Sequence, residues 1–164
     1  MFSLYRQMFF ITLILLSFAS SAAYAASCYN LSEAEAEQGI RIHSELMVIG
    51  LNCQHMQFKD GSNLYLKYRD FTSRHSGLLS GYENTLMEYY RRTGQGNPET
   101  KLNTLRTSFA NKVSRDAAEM KPHNFCNQYA RRIFQVDNMG RQDLRKWAAT
   151  LHKSHPLSAP VCEQ

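Results

Sequence analysis

The chain has 164 residues, 43% of them hydrophobic, with 19 lysines and arginines against 14 acids and a formal charge of +5. A chain of this length buries a core of its own without needing a metal or a partner to fold. The positive excess is mild and compatible with anionic surfaces such as lipid head groups or lipopolysaccharide, while nucleic acid is set aside because the N-terminus reads as an export signal.

That signal is the first element. Arg6 is the only charge before Ser27, the run MFFITLILLSF from Met8 to Phe18 is apolar, and small residues follow, ending in Ala23, Tyr24 and Ala25. Such a core is too short for a membrane span, which needs about 20 apolar residues. The expected cut falls after Ala25, so residues 1–25 are read as signal peptide and 26–164 as an exported domain, periplasmic or secreted. Two rivals are a retained signal anchor and a lipoprotein box AASC with Cys28 acylated, which lacks the usual leucine three residues before the cysteine.

The rest predicts helix after helix. Ser32 with Glu35 forms an S-x-x-E capping box, and the apolar steps Ile42, Leu46, Ile49 and Cys53 carry a first helix to about His55. The sequence Asn30-Leu31-Ser32 also matches an N-glycosylation acceptor, though Ser32 is better explained as a cap. After the turn FKDGSN, a long second helix places Leu64, Tyr68, Phe71, His75, Leu78, Tyr82 and Tyr89 on one stripe. Gly77 and Gly81 weaken it, marking a kink or break, or a strip where another helix comes close.

Gly94 and Gly96 end that helix, and Asn97 as N-cap, Pro98 at the first position and Glu99 in the first turn start the third. Its stripe is Leu102, Leu105, Phe109, Val113, Ala117 and Met120. Beyond Pro122 a fourth helix carries Phe125, Cys126, Tyr129, Ala130, Ile133 and Phe134. A short fifth, about Arg141 to His152, is expected to bury Leu144, Trp147, Ala148 and Leu151 before HPLSAPVCEQ trails away as an extended tail. The predicted fold is all-α: a single-domain bundle of four main helices plus a short C-terminal one.

Four cysteines, an even number in a chain read as exported, imply two disulfides. Cys28 and Cys53 stand at opposite ends of the first helix, about 35 Å apart at 1.5 Å per residue, far beyond the roughly 7 Å reach of a bridge. Two pairings survive. Cys53–Cys126 with Cys28–Cys162 is preferred because it links two helices and ties the chain ends, and Cys28–Cys126 with Cys53–Cys162 stays open. Each bridge contributes on the order of 4 kcal/mol in the chain-entropy model.

The sequence lacks the motifs C-x-x-C-H, H-E-x-x-H, G-x-S-x-G, S-x-x-K, C-x-x-C and a phosphate-binding glycine loop. No catalytic residue and no cofactor is assigned. His75, on a core step of the second helix, is the one candidate general base, against the plainer reading of a hydrogen-bonded core histidine. Glu35, Glu45, Glu83 and Glu88 are acid candidates by type alone. His43 and Met47, one turn apart, would offer copper a nitrogen and a sulfur, and His152 and His155 would need His123 or Cys162 to complete a zinc or copper site. Two doublets set aromatics beside guanidinium groups as an anionic partner would need: Tyr89, Tyr90, Arg91 and Arg92, then Tyr129, Arg131 and Arg132.

The runs HSELMVIGLNCQ, YRDFTSRH, TSFANKVSR and HNFCNQYA, within about residues 38–136, resemble those of small exported helical proteins of proteobacteria with no assigned activity. The resemblance implies an exported helical fold and a Cys53–Cys126 pair, and it carries over no catalytic residue. The functional expectation is therefore an exported, non-catalytic helical protein binding a protein or an anionic envelope component, its oligomeric state unspecified. The alternatives are a small extracytoplasmic hydrolase using His75 or a glutamate, and periplasmic copper or zinc handling.

Overall fold

The computed structural model describes residues 27–56, 58 and 61–163. The predicted signal segment and its cut after Ala25 lie outside them. The order is α1 Leu31–Asn52, α2 Leu64–Arg74, α3 Ser76–Arg92, α4 Pro98–Glu119, α5 Pro122–Asp137 and α6 Arg141–Ala149. The chain is an all-α single domain, and the one extended pairing among the described residues is the isolated parallel bridge between Tyr29 and Val161.

α1 begins two residues earlier than the Ser32 box implies. Asn30 is the N-cap: its Oδ1 accepts from the Glu33 backbone N–H at 2.9 Å, while a Glu33 carboxylate oxygen accepts from the Asn30 backbone N–H at 2.9 Å. Ser32 donates to Asn30 Oδ1 instead of capping. Every other helix packs on α1, which is buried almost all round as the axis of the domain. Glycine permits two of these approaches. A Cβ at Gly39 would stand 2.3 Å from the Tyr82 ring, and one at Gly50 would stand 3.1 Å from Tyr68 Cβ.

The predicted long second helix is two helices. The break falls at His75, whose ψ of 11° leaves the helical range and which ends α2 and precedes α3. Gly77 and Gly81 are neither hinge nor contact strip, for both face open space. The apolar stripe runs across the break, so Tyr68, Phe71, Leu78, Tyr82 and Tyr89 are all buried.

α4 starts as the sequence predicts. Gly94 and Gly96 take positive φ, Pro98 opens the helix, and Asn97 Oδ1 accepts from the Thr100 backbone N–H at 2.9 Å. Leu102, Leu105, Phe109 and Val113 are buried on its inner face. α6 stops at Ala149 instead of His152, and Leu151, expected in the core, is 50% exposed.

The chain departs there because the tail has a destination of its own. Tyr29 N–H donates to Pro160 O at 2.7 Å and Cys162 N–H donates to Tyr29 O at 2.8 Å, with Cys28–Cys162 bridged beside them at a Cα separation of 5.1 Å. The tail does not trail away; it is strapped down. The second bridge, Cys53–Cys126 with Cα atoms 5.6 Å apart, ties the end of α1 to α5. The preferred pairing is thus the one formed, and it leaves Cys28 no free thiol for a lipid. No helix among the described residues is long and apolar enough to cross a membrane.

Candidate functional site

α1 carries ionisable residues at steps of four: Glu33, Glu37, Arg41 and Glu45. That spacing sets them in one row on a helix face. All four are buried, Glu37 completely, Glu45 at 2% and Arg41 at 7% exposure. Charge so enclosed needs partners, because its desolvation costs several kcal/mol per ion.

The tail supplies many of them. Ser158 donates to Glu37 through its backbone N–H at 2.9 Å and through its hydroxyl. Arg41 donates from Nη2 to Pro156 O at 2.7 Å, and its guanidinium lies 4.0 Å over the Phe109 ring. Burial works against the Arg41 charge, with Glu37 and Glu45 supporting it. Gln38 donates from Nε2 to His155 O at 3.0 Å. At the row's far ends, Arg92 pairs with Glu33 at 2.9 Å and Arg132 stands 2.7 Å from Glu45.

Around Glu45 the packing opens into a cleft of about 630 Å³ between α1, α4, α5, the end of α6 and the tail. Its cations are Arg41, Lys112, Arg131 and Arg132; its acids are Glu45 and Asp116. Trp147 and Tyr129 supply aromatic wall, and His152 and His155 the tail side. Tyr129 donates to Asp116 Oδ2 at 2.5 Å; burial first, then Asp116, pushes its phenol up to about 12, so it keeps its proton. His155 Nε2 lies 4.0 Å from Glu45, yet burial pushes the imidazole below its ordinary range, with Lys112, Arg41 and Arg132 acting the same way against Glu45. At neutral pH the imidazole is therefore uncharged and the contact is not an ion pair.

Arg41 Nε, buried beside the cleft, lacks a hydrogen-bond partner. An unmet buried group of this kind costs about 1–3 kcal/mol. Glu45 Oε2 is buried as well and is held by the Arg132 ion pair. The cleft thus combines charged and amide side chains with room for a ligand of drug-like size.

The other predicted site residues scatter. His75, 5% exposed, places Nε2 3.1 Å from Met139 O and its ring 5.0 Å from that of Phe71. Burial lowers its affinity for a proton, and the charges it senses, Arg74 and Arg141, are cations. It is a core histidine at a helix junction, without the facing carboxylate that a general base needs.

His43 Nε2 is 3.0 Å from the Tyr68 hydroxyl, and burial followed by Arg106 pushes its pKa down to about 4; Met47 packs on the core. His123 is exposed on the first turn of α5, and Cys162 is in a disulfide, so neither completes a site with His152 and His155. Among the described residues no three His, Cys, Asp or Glu side chains gather as a metal would require.

Tyr89 and Tyr90 are 2% and 5% exposed, which corrects their reading as a binding surface. Arg92 is engaged by Glu33, and Arg91 pairs with Glu88. Glu83 pairs with Arg106; Glu35 receives Tyr82 O–H at 2.8 Å and Arg145 Nε–H at 2.8 Å, and Arg145 holds its carboxyl below the usual range. Of the acids named by type, Glu45 alone reaches the cleft, where it joins Tyr129, Arg131, Arg132, His152 and His155.

Sequence reasoning missed Glu37, Arg41, Lys112 and Asp116. For the first two the signal was present: an unbroken i, i+4 row of charge on the most apolar of the six helices. No family model, no curated protein and no solved structure matches the chain at a significant level.

Proposed function

We propose that the protein is an exported, non-catalytic helical binding protein that holds an anionic component of the cell envelope in the cleft at Glu45. The observation that carries this reading is the excess of cations over acids, Arg41, Lys112, Arg131 and Arg132 against Glu45 and Asp116, inside a concavity of ligand size. Export is supported by two disulfides, which persist in oxidising compartments, and by the apolar Met8–Phe18 run of the sequence.

The test is titration of the disulfide-intact protein with lipopolysaccharide, anionic lipid vesicles and anionic glycans at two salt concentrations. Binding should weaken with salt, and Arg131→Gln and Lys112→Gln should weaken it further. Binding indifferent to both substitutions would place the ligand on another surface.

The hydrolase alternative retains one observation, the buried Glu45 carboxylate facing a cleft. An arginine-flanked carboxylate is better suited to accepting a ligand's hydrogen bond than to donating a proton.

A further inference from the structure

The geometry points to an acidic sugar, a short glycan carrying carboxylates beside free hydroxyls, as the ligand of the Glu45 cleft. This rests on the cleft being an anion-binding site and narrows what the anion is. A bare anion such as phosphate satisfies Arg131 and Lys112 but meets Glu45 and Asp116 as like charges. A lipid chain fares worse, because the lining is polar and charged apart from Ile42, Val113 and the two aromatics.

A hydroxyl-bearing ligand resolves the mixture, since a hydroxyl both donates and accepts. Its hydroxyls donate toward the acids Glu45 and Asp116 and accept from the cations beside them, all of which line the cleft. The exposed amides of Gln128 and Gln135 border the same space and serve further hydroxyls. Trp147 and Tyr129 line the same space, and an aromatic wall suits the C–H face of a pyranose, apolar on one side and wet on the other. Arg131, exposed and with no ion pair or hydrogen bond among the described residues, is the natural carboxylate anchor at the rim.

Trp147 is the sole tryptophan, so intrinsic fluorescence reports occupancy of this cleft directly. The experiment titrates the disulfide-bonded protein with digalacturonate, with its methyl ester, which keeps the hydroxyls but not the charge, and with inorganic phosphate. Digalacturonate should change the emission saturably, the ester should bind about tenfold more weakly, and phosphate should not compete at equal concentration.

Arg131→Gln should erase the preference for acid over ester, and Glu45→Gln should weaken both sugars. Because Glu45 is buried, Gln135→Ala on the exposed rim repeats the hydroxyl test without risk to the fold. Phosphate binding as well as digalacturonate would overturn the sugar assignment and leave the anion-binding reading standing. Equal binding of acid and ester, or no response to digalacturonate, phosphate or lipopolysaccharide, would overturn both.

Discussion

Tyr89–Arg92 and Tyr129–Arg132 are nearly the same string, YYRR and YARR, and the fold puts them to opposite uses. Both send their second arginine to the charged row of α1, Arg92 to Glu33 and Arg132 to Glu45, twelve residues apart on one face. At the Glu33 end the surroundings are closed: Tyr29 packs 4.4 Å from the Tyr89 ring, and Tyr89 donates its hydroxyl hydrogen to Ser27 O at 2.6 Å. At the Glu45 end a half-buried Tyr129, the small Ala130 and the tail leave a cleft. A motif's meaning is therefore set by what its helix packs against, and a basic-aromatic string in a sequence is two hypotheses rather than one.

The sharpest way to break this comparison is truncation of each first tyrosine. Tyr89→Ala should cost about 3–5 kcal/mol in urea denaturation, as for a large buried aromatic. Tyr129→Ala should cost less than half of that, and equal losses would deny the distinction. Replacing Cys28 and Cys162 together with serine should cost about 2–4 kcal/mol, since that bridge spans 134 residues of sequence. Because His152, Ser154 and His155 of the tail wall the cleft, this double variant should also lose ligand binding, while reduction confined to Cys53–Cys126 should spare it.

Arg92→Gln leaves the buried Glu33 carboxylate with its Asn30 N–H bond alone, and about 1 kcal/mol should be lost, tempered by the exposure of the arginine. Acid titration should separate the ends as well. His155 binds its proton less tightly when folded than at its ordinary value of 6.5, so its contribution to stability is present above that pH and is lost as pH falls below it. Between pH 7 and 5 the His155→Gln variant should lose less stability than the parent, the remaining slope belonging to His43 and His75, whose affinities are lowered in the same sense. Smallest of all, Arg131→Gln should leave the denaturation midpoint within about 0.5 kcal/mol of the parent while changing binding.

What was legible in the sequence was local. Asn97, Pro98 and Glu99 announce α4 because cap, first turn and dipole chemistry involve only neighbours. The start of α1 was ambiguous on the same grounds: Asn30 with Glu33 and Ser32 with Glu35 are both cap-and-acid pairs three apart, and local chemistry does not choose between them. The break at His75 is tertiary, since both halves pack on α1 and the glycines nearby face open space. The charged row was misjudged for a related reason. Nothing local marks Glu37 and Arg41 for burial, and only a strap drawn from the far end of the chain makes burying them tolerable.

That strap closes the molecule into a ring. Tyr29 lies between Pro160 and Cys162, and the sulfur bridge from Cys28 to Cys162 joins the two ends of the fold covalently. A tension applied at residues 27 and 163 therefore passes across one covalent link, and the six helices between carry no load. Held in a force spectrometer by those points, the oxidised protein should show no unfolding extension at all; extension should appear only once a reductant cuts that bridge, and the stretch between Cys53 and Cys126 only once the second bridge is cut as well. A protease faces the same geometry: a single cut in a loop opens the ring without releasing a fragment, so the pieces stay together until the disulfides are reduced.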